Sequence, residues 1–91
     1  MNALRRKELA AITSRIEELK SQLEELQTDL SSCQYDEQEY LDNMPENLQS
    51  SERYERAETS ANALDEAVDA LNEAMEYFDS CLESIEEAVD A

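Results

Sequence analysis

Apolar residues recur along the first half of the chain in alternating steps of three and four. They are Leu9, Ile12, Ile16, Leu19, Leu23, Leu26, Leu30 and Cys33. An α-helix turns every 3.6 residues, so this spacing places all eight side chains on one side, the heptad seam of a helix packed on a partner. The pattern predicts a first helix over about residues 3–42, with Tyr40 on the same side.

The second half of the chain repeats every seven residues, from ALDEAVD at 63–69 to SIEEAVD at 84–90. Its seam consists of Ala57, Ala61, Leu64, Val68, Leu71, Met75, Phe78, Leu82, Ile85 and Val89. The pattern predicts a second helix over about residues 51–90. A line of small residues runs beside this seam, and it would let another helix approach closely. For self-association we expect Ala67, Ala74, Cys81 and Ala88 to be used; the alternative is that the alanines are simply good helix formers.

Residues 43–50 separate the two helices and contain the only proline. Asn43 with Glu46 fits a capping box that starts a new turn, and Ser50 or Ser51 fits the N-cap of the second helix. The sequence therefore predicts an all-α fold with a single domain over residues 1–91. Two long antiparallel helices would form a helical hairpin, a coiled coil that dimerises into a four-helix bundle.

The hairpin also implies a register. With the turn centred on the proline, facing residues should have numbers that add to 90 or 91. Basic residues would then lie beside acidic ones on the other helix, Lys20 beside Asp69 for example. Likewise, we expect Arg53 and Arg56 to lie near Glu37 and Asp36, Arg15 near Glu73 and Glu76, and Arg5, Arg6 and Lys7 near Glu83, Glu86 and Glu87.

The chemistry of the composition argues against an enzyme. The chain has no glycine and no histidine, so it lacks phosphate-cradling loops and the usual proton-transfer side chain near neutral pH. No cofactor and no metal are expected, because carboxylates spread along a helix rarely converge on one ion. Cys33 and Cys81 should be small core residues, too far apart in a hairpin for a disulfide. No segment is apolar enough to span a membrane or to serve as a signal, and the chain is expected to be cytoplasmic.

The charge is very uneven: 24 acidic residues stand against 7 basic ones, for a net charge of −17. Residues 1–20 carry +2, whereas residues 57–91 carry −11 and no basic group. We expect the acidic side of the second helix to bind a partner through Asp65, Glu66, Asp69, Glu73, Glu76, Asp79, Glu83 and Glu86. Plain solubilisation of a coiled coil is the other interpretation of these acids.

The turn and its surroundings, from Glu39 to Glu55, read EYLDNMPENLQSSERYE. This segment resembles one in small acidic helical-hairpin proteins of bacteriophages and mobile elements, an uncharacterised group, and the likeness extends over about residues 37–90. The resemblance implies a mobile-element setting, where small acidic proteins often inhibit defence or nucleic-acid enzymes.

Two functions follow as hypotheses. The first is a non-enzymatic protein that binds a basic surface on a partner, such as a nucleic-acid-binding protein, as an inhibitor or regulator that mimics nucleic acid. Direct binding of nucleic acid is not expected at this net charge. The second is a structural or scaffolding coiled-coil protein that acts by self-association.

Overall fold

The structure, a computed structural model, describes residues 1–91 and contains two long helices and no strand. Helix α1 spans Ala3–Asp42 and helix α2 spans Glu52–Asp90, against predicted limits of about 3–42 and 51–90. The helices pack antiparallel in a rod with extents of 69 × 17 × 14 Å. The predicted all-α hairpin is confirmed. Neither helix has a stretch long and apolar enough to cross a membrane.

The connection between the helices includes a short 3₁₀ helix, Glu46–Leu48. Of the two candidate serines, Ser51 is the N-cap of α2, and its hydroxyl oxygen accepts from the Tyr54 backbone N–H at 3.2 Å. The capping box predicted at Asn43 is wrong. The backbone N–H of Asn43 donates to the Glu39 carbonyl at 3.0 Å, so this residue closes α1 instead of starting the next turn.

The buried core lies at the turn end of the rod. Only Leu41, Met44, Ala57 and Ala61 are buried, and Ala61 is 0% exposed. Leu48 and Tyr54 pack against these four. The two alanines have no side-chain atoms beyond Cβ, so the backbones of α1 and α2 can approach closely beside the turn. No residue further along the rod is buried.

This core also determines how α1 is rotated about its own axis. Seven-residue steps back from Met44 and Leu41 lead to two lines of residues that face α2, because a heptad step returns to the same side of a packed helix. The first line comprises Leu30, Leu23, Ile16 and Leu9, and all four are half-buried as predicted. The second comprises Gln34, Gln27, Lys20 and Thr13, which are also half-buried although they are polar.

The remaining half of the predicted α1 seam does not face α2. Ile12, Leu19 and Leu26 are 43%, 51% and 55% exposed, and Cys33 is exposed as well. The prediction is wrong for these four because the core at the turn rotates α1 toward its polar line. On α2, by contrast, every predicted seam residue from Ala57 to Val89 is buried or half-buried, so that seam is confirmed.

The register also differs from the prediction. Lys20 pairs with Asp79 and not with Asp69, and their numbers add to 99 instead of 90 or 91. A slip of one heptad accounts for most of the change, since seven residues restore the phase of both seams. The 3₁₀ helix delays the start of α2 to Glu52, which moves the centre of the turn toward the C-terminus.

Candidate interaction surfaces

The predicted acidic site forms the outer surface of α2 and extends onto the flank next to α1, where Asp79 and Glu86 lie. All eight of its residues are exposed, since they occupy helix positions between the half-buried seam residues: Asp65, Glu66, Asp69, Glu73, Glu76, Asp79, Glu83 and Glu86. We call this the acidic surface. At about 1.5 Å per residue, eight carboxylates from 65 to 86 give one charge per about 4 Å of rod.

Basic groups neutralise very little of the acidic surface. Lys20 reaches Asp79 with Nζ to Oδ1 at 2.5 Å, the only ion pair between the two helices. The hydrogen bond to Asp79, with the nearby charges of Asp79, Glu24 and Glu17, raises the pKa of Lys20 above its ordinary value despite some desolvation. The other seven carboxylates have no ion pair.

The other basic residues make no ion pair across the hairpin, but two of them lie near acids that the prediction assigned to them. Arg53 lines the same groove as Glu37, and Arg6 the same groove as Glu86. Arg56 binds Glu52 on its own helix, and Arg53 donates from Nε to the Tyr40 hydroxyl at 2.7 Å, with its guanidinium 5.7 Å from the ring centre. No basic group at residues 5–7, nor Arg15, comes within ion-pair distance of an acid.

A second surface lies along one flank of the hairpin and carries no charge. On α1 it comprises Ile12, Leu19, Leu26, Cys33 and Tyr40, and on α2 Ser60, Ala63, Ala67, Ala70, Ala74, Tyr77, Cys81, Ser84 and Ala88. We call this the uncharged face. In an antiparallel pair these lines turn toward the same side, and an apolar groove lined by Ile16, Ala74, Tyr77, Phe78 and Cys81 runs along that side.

The opposite flank is different in character. The groove there is lined by Leu82, Ile85 and Val89 but also by Arg6, Glu17 and Glu86. Along the shaft, charges are therefore absent from the first flank and present on the second. Near the turn the first flank is charged as well, since Arg53 and Arg56 line a groove with Tyr40 and Ser60.

The uncharged face contains all four residues predicted for self-association. Ala67 and Ala74 are half-buried against α1, and Cys81 and Ala88 are exposed. The contribution of α1 to this face was not predicted, because the heptad pattern placed Ile12, Leu19 and Leu26 in the seam within one chain. Leu41 and Met44 could have indicated it. These two large apolar residues beside the turn lie at heptad steps from the two lines of α1 that face α2, and not from the line that contains Ile12.

The cysteines do not behave as predicted. Cys33 and Cys81 are both free and both exposed, so the prediction that they are core residues is wrong. Each lies on a heptad line of the uncharged face, which the other helix of the hairpin does not cover. Tyr35 and Tyr77 are exposed, at 66% and 76%.

No three cysteine, aspartate or glutamate side chains lie close enough together to hold a metal ion. Comparisons with protein-family models, curated proteins and solved structures found no match to this chain. The resemblance of the turn segment to phage and mobile-element proteins therefore stays a prediction.

Proposed function

We propose that this chain is a non-catalytic binding protein whose acidic surface docks on a basic surface of another protein, in the manner of a nucleic-acid mimic. The observation that carries this proposal is the exposed, almost unpaired state of the eight carboxylates on α2. Seven of them have no cationic neighbour within ion-pair distance. A basic partner would supply the counter-charges that the chain itself lacks.

The spacing of the charges supports a nucleic-acid-like partner site. One charge per about 4 Å on α2 is close to the phosphate spacing of a single strand, about 3.4 Å. The helix holds these charges on a straight rod, so a channel that follows a phosphate backbone could follow α2. Electrostatic steering would speed the encounter, since residues 57–91 carry −11.

Two charge-neutralised variants test whether position or net charge matters. In the first, the seven unpaired acids of the acidic surface become amides, and Asp79 is kept because it pairs with Lys20. In the matched control, seven exposed acids of α1 become amides: Glu8, Glu17, Glu18, Glu25, Asp29, Asp36 and Glu39. Both variants change the net charge from −17 to −10.

The measurement is binding of each variant to nucleic-acid-binding proteins that the wild-type chain retains from cell extract, with DNA as competitor and increasing salt. We expect the α2 variant to lose binding, the α1 control to keep most of it, and DNA or moderate salt to displace the wild type. Equal behaviour of the two variants, or binding that resists both salt and DNA, would contradict the proposal. Salt-resistant binding is what the self-association alternative predicts.

A further inference from the structure

The uncharged face is too depleted in charge to be an ordinary solvated surface. Charged residues make up 34% of the chain, yet the three heptad lines of this face carry charge only at their ends, at Arg5, Arg53 and Arg56. Large apolar side chains are exposed on it, including Leu26 at 55% and Tyr77 at 76%. Exposed apolar residues that form a continuous patch mark an interaction site, whereas single ones do not.

The hairpin also leaves more surface open than a compact chain of its size. Its accessible surface is 6849 Å², whereas a folded monomer of 10.4 kDa is expected to have about 5,400 Å². Folding covers about 55% of the surface of the extended chain, less than the roughly 60% typical of a 60-residue domain. Association would remove part of this excess surface from water.

We propose that a second copy of this chain covers the uncharged face, so that α1 of each copy packs on α2 of the other in a four-helix bundle. This inference is independent of the acidic surface, which stays on the outside of such a bundle. The two turns would lie at the same end, with the two-fold axis parallel to the helices. Every helix then has antiparallel neighbours, as in up-down bundles.

The shape of the face fits a second copy. Large residues lie on its α1 side, and the α2 side is small except at Tyr77, so the two-fold axis sets most of the large side chains of one copy against small ones of the other. The Lys20–Asp79 ion pair shows which residues of α1 and α2 lie at the same level along the rod. Leu26 of the second copy then arrives at the level of Ala70 and Ala74, and its Leu19 at the level of Tyr77 and Cys81.

The charges select this arrangement over its end-for-end alternative. In the alternative, α2 would pack on α2, and two segments of −11 would lie side by side. Packed helices are about 8–10 Å apart, comparable to the Debye length of about 8–10 Å at ordinary ionic strength, so salt would screen this repulsion only in part. With the turns together, residues 1–20, which carry +2, lie along the acidic end of the other copy's α2.

The area is also sufficient. From residue 12 to residue 40 the face is about 42 Å long at 1.5 Å per residue, and with a rod width of 17 Å it covers about 700 Å² per copy. Stable interfaces bury about 800 Å² per partner. A charge-free surface of this area is comparable to the interface of a stable dimer.

The first test is the mass in solution, measured by sedimentation across low to high micromolar chain concentrations. We expect twice the chain mass of 10.4 kDa for the wild type. Leu19→Glu and Leu26→Glu should each weaken the dimer at least about thirtyfold. Leu4→Glu is the matched control, because Leu4 is 68% exposed but lies outside the uncharged face, and it should leave the dimer intact.

A wild type that stays monomeric throughout, even though its face takes up some other protein, would overturn the proposal. So would a dimer that tolerates both glutamates as well as it tolerates Leu4→Glu. Helicity measured by circular dichroism shows that the variants are folded, which these exposed positions should allow.

The second test addresses the arrangement. An azide-bearing amino acid at position 47, in the exposed turn, carries a nitroxide and leaves both cysteines unchanged. With the turns at one end, pulsed electron resonance should give a label-to-label distance of about 20 Å, the width of two helix layers. A distance approaching the 69 Å length of the rod would show the end-for-end dimer and contradict the arrangement.

Discussion

The turn end and the shaft of this hairpin are built from similar heptads but pack very differently. At the turn end, Leu41 and Met44 press on Ala57 and Ala61, and all four are buried. Along the shaft, larger residues such as Leu23 and Leu71 face the other helix, and none is more than half-buried. Small residues on one helix allow the close contact that buries large residues on the other. The hairpin is therefore well packed at one end and only partly covered elsewhere.

The largest expected effect comes from placing a charge in the packed end. Ala61→Glu should cost about 3–5 kcal/mol, because the carboxylate would be buried without a partner. The free energy of unfolding, measured with urea, checks this. Ala11→Glu is the matched control on the exposed side of α1 and should stay within about 0.5 kcal/mol of the wild type. Similar losses in the two variants would show that the turn end is not the tightly packed region.

Truncation of one leucine to alanine in each region should have a smaller effect and should distinguish the turn end from the shaft. Leu41→Ala should cost about 2–5 kcal/mol, since it leaves a cavity in the buried cluster. Leu23→Ala in the half-buried shaft should cost about half as much, because its side chain already contacts water. Both are measured by urea unfolding at one chain concentration. A larger loss at Leu23 than at Leu41 would reverse the comparison.

The smallest effect concerns the one ion pair between the helices in the shaft. The pKa of Lys20 is raised in the folded chain, chiefly by its hydrogen bond to Asp79. Its contribution to stability is therefore fully present below the ordinary lysine pKa of about 10.4 and is lost as the pH rises through the raised value.

Thermal unfolding between neutral and strongly alkaline pH measures this loss. Lys20→Gln should lower the unfolding temperature slightly at neutral pH and reduce the further drop at high pH. Lys7→Gln is the control, since Lys7 makes no ion pair. An identical alkaline drop in the wild type and in Lys20→Gln would exclude a role for this pair.

The fold class was predictable because the heptad spacing identifies helices and because a single break at Pro45 leaves only one place to turn. The side of α2 that faces its partner was predictable for the same reason. The rotation of α1 was not, since Leu9, Ile12 and their heptad repeats form two apolar lines and a single partner helix does not need both. The choice depends on Leu41 and Met44, whose burial is a tertiary effect.

The register was out of reach for a related reason. A heptad pattern is unchanged by a slip of seven residues, so only the length of the turn decides between neighbouring registers. That length depends on the 3₁₀ helix at Glu46–Leu48 and on the Ser51 cap. The exposure of the acidic surface was predictable because its eight carboxylates lie between the seam positions of α2. The identity of the partner that would bind this surface depends on another protein, so the sequence of this chain does not determine it.

The position of the core beside the turn has a consequence for how the chain folds. Leu41 and Ala57 are close in sequence, so the loop that brings them together is short, and the entropy lost on closing a loop grows with its length. Packing of the two helices should therefore begin at the turn and proceed along the rod toward the two termini. Contacts that are local in sequence favour fast folding. The same order means that the terminal turns, around Leu9 and Val89, open first when the chain begins to unfold.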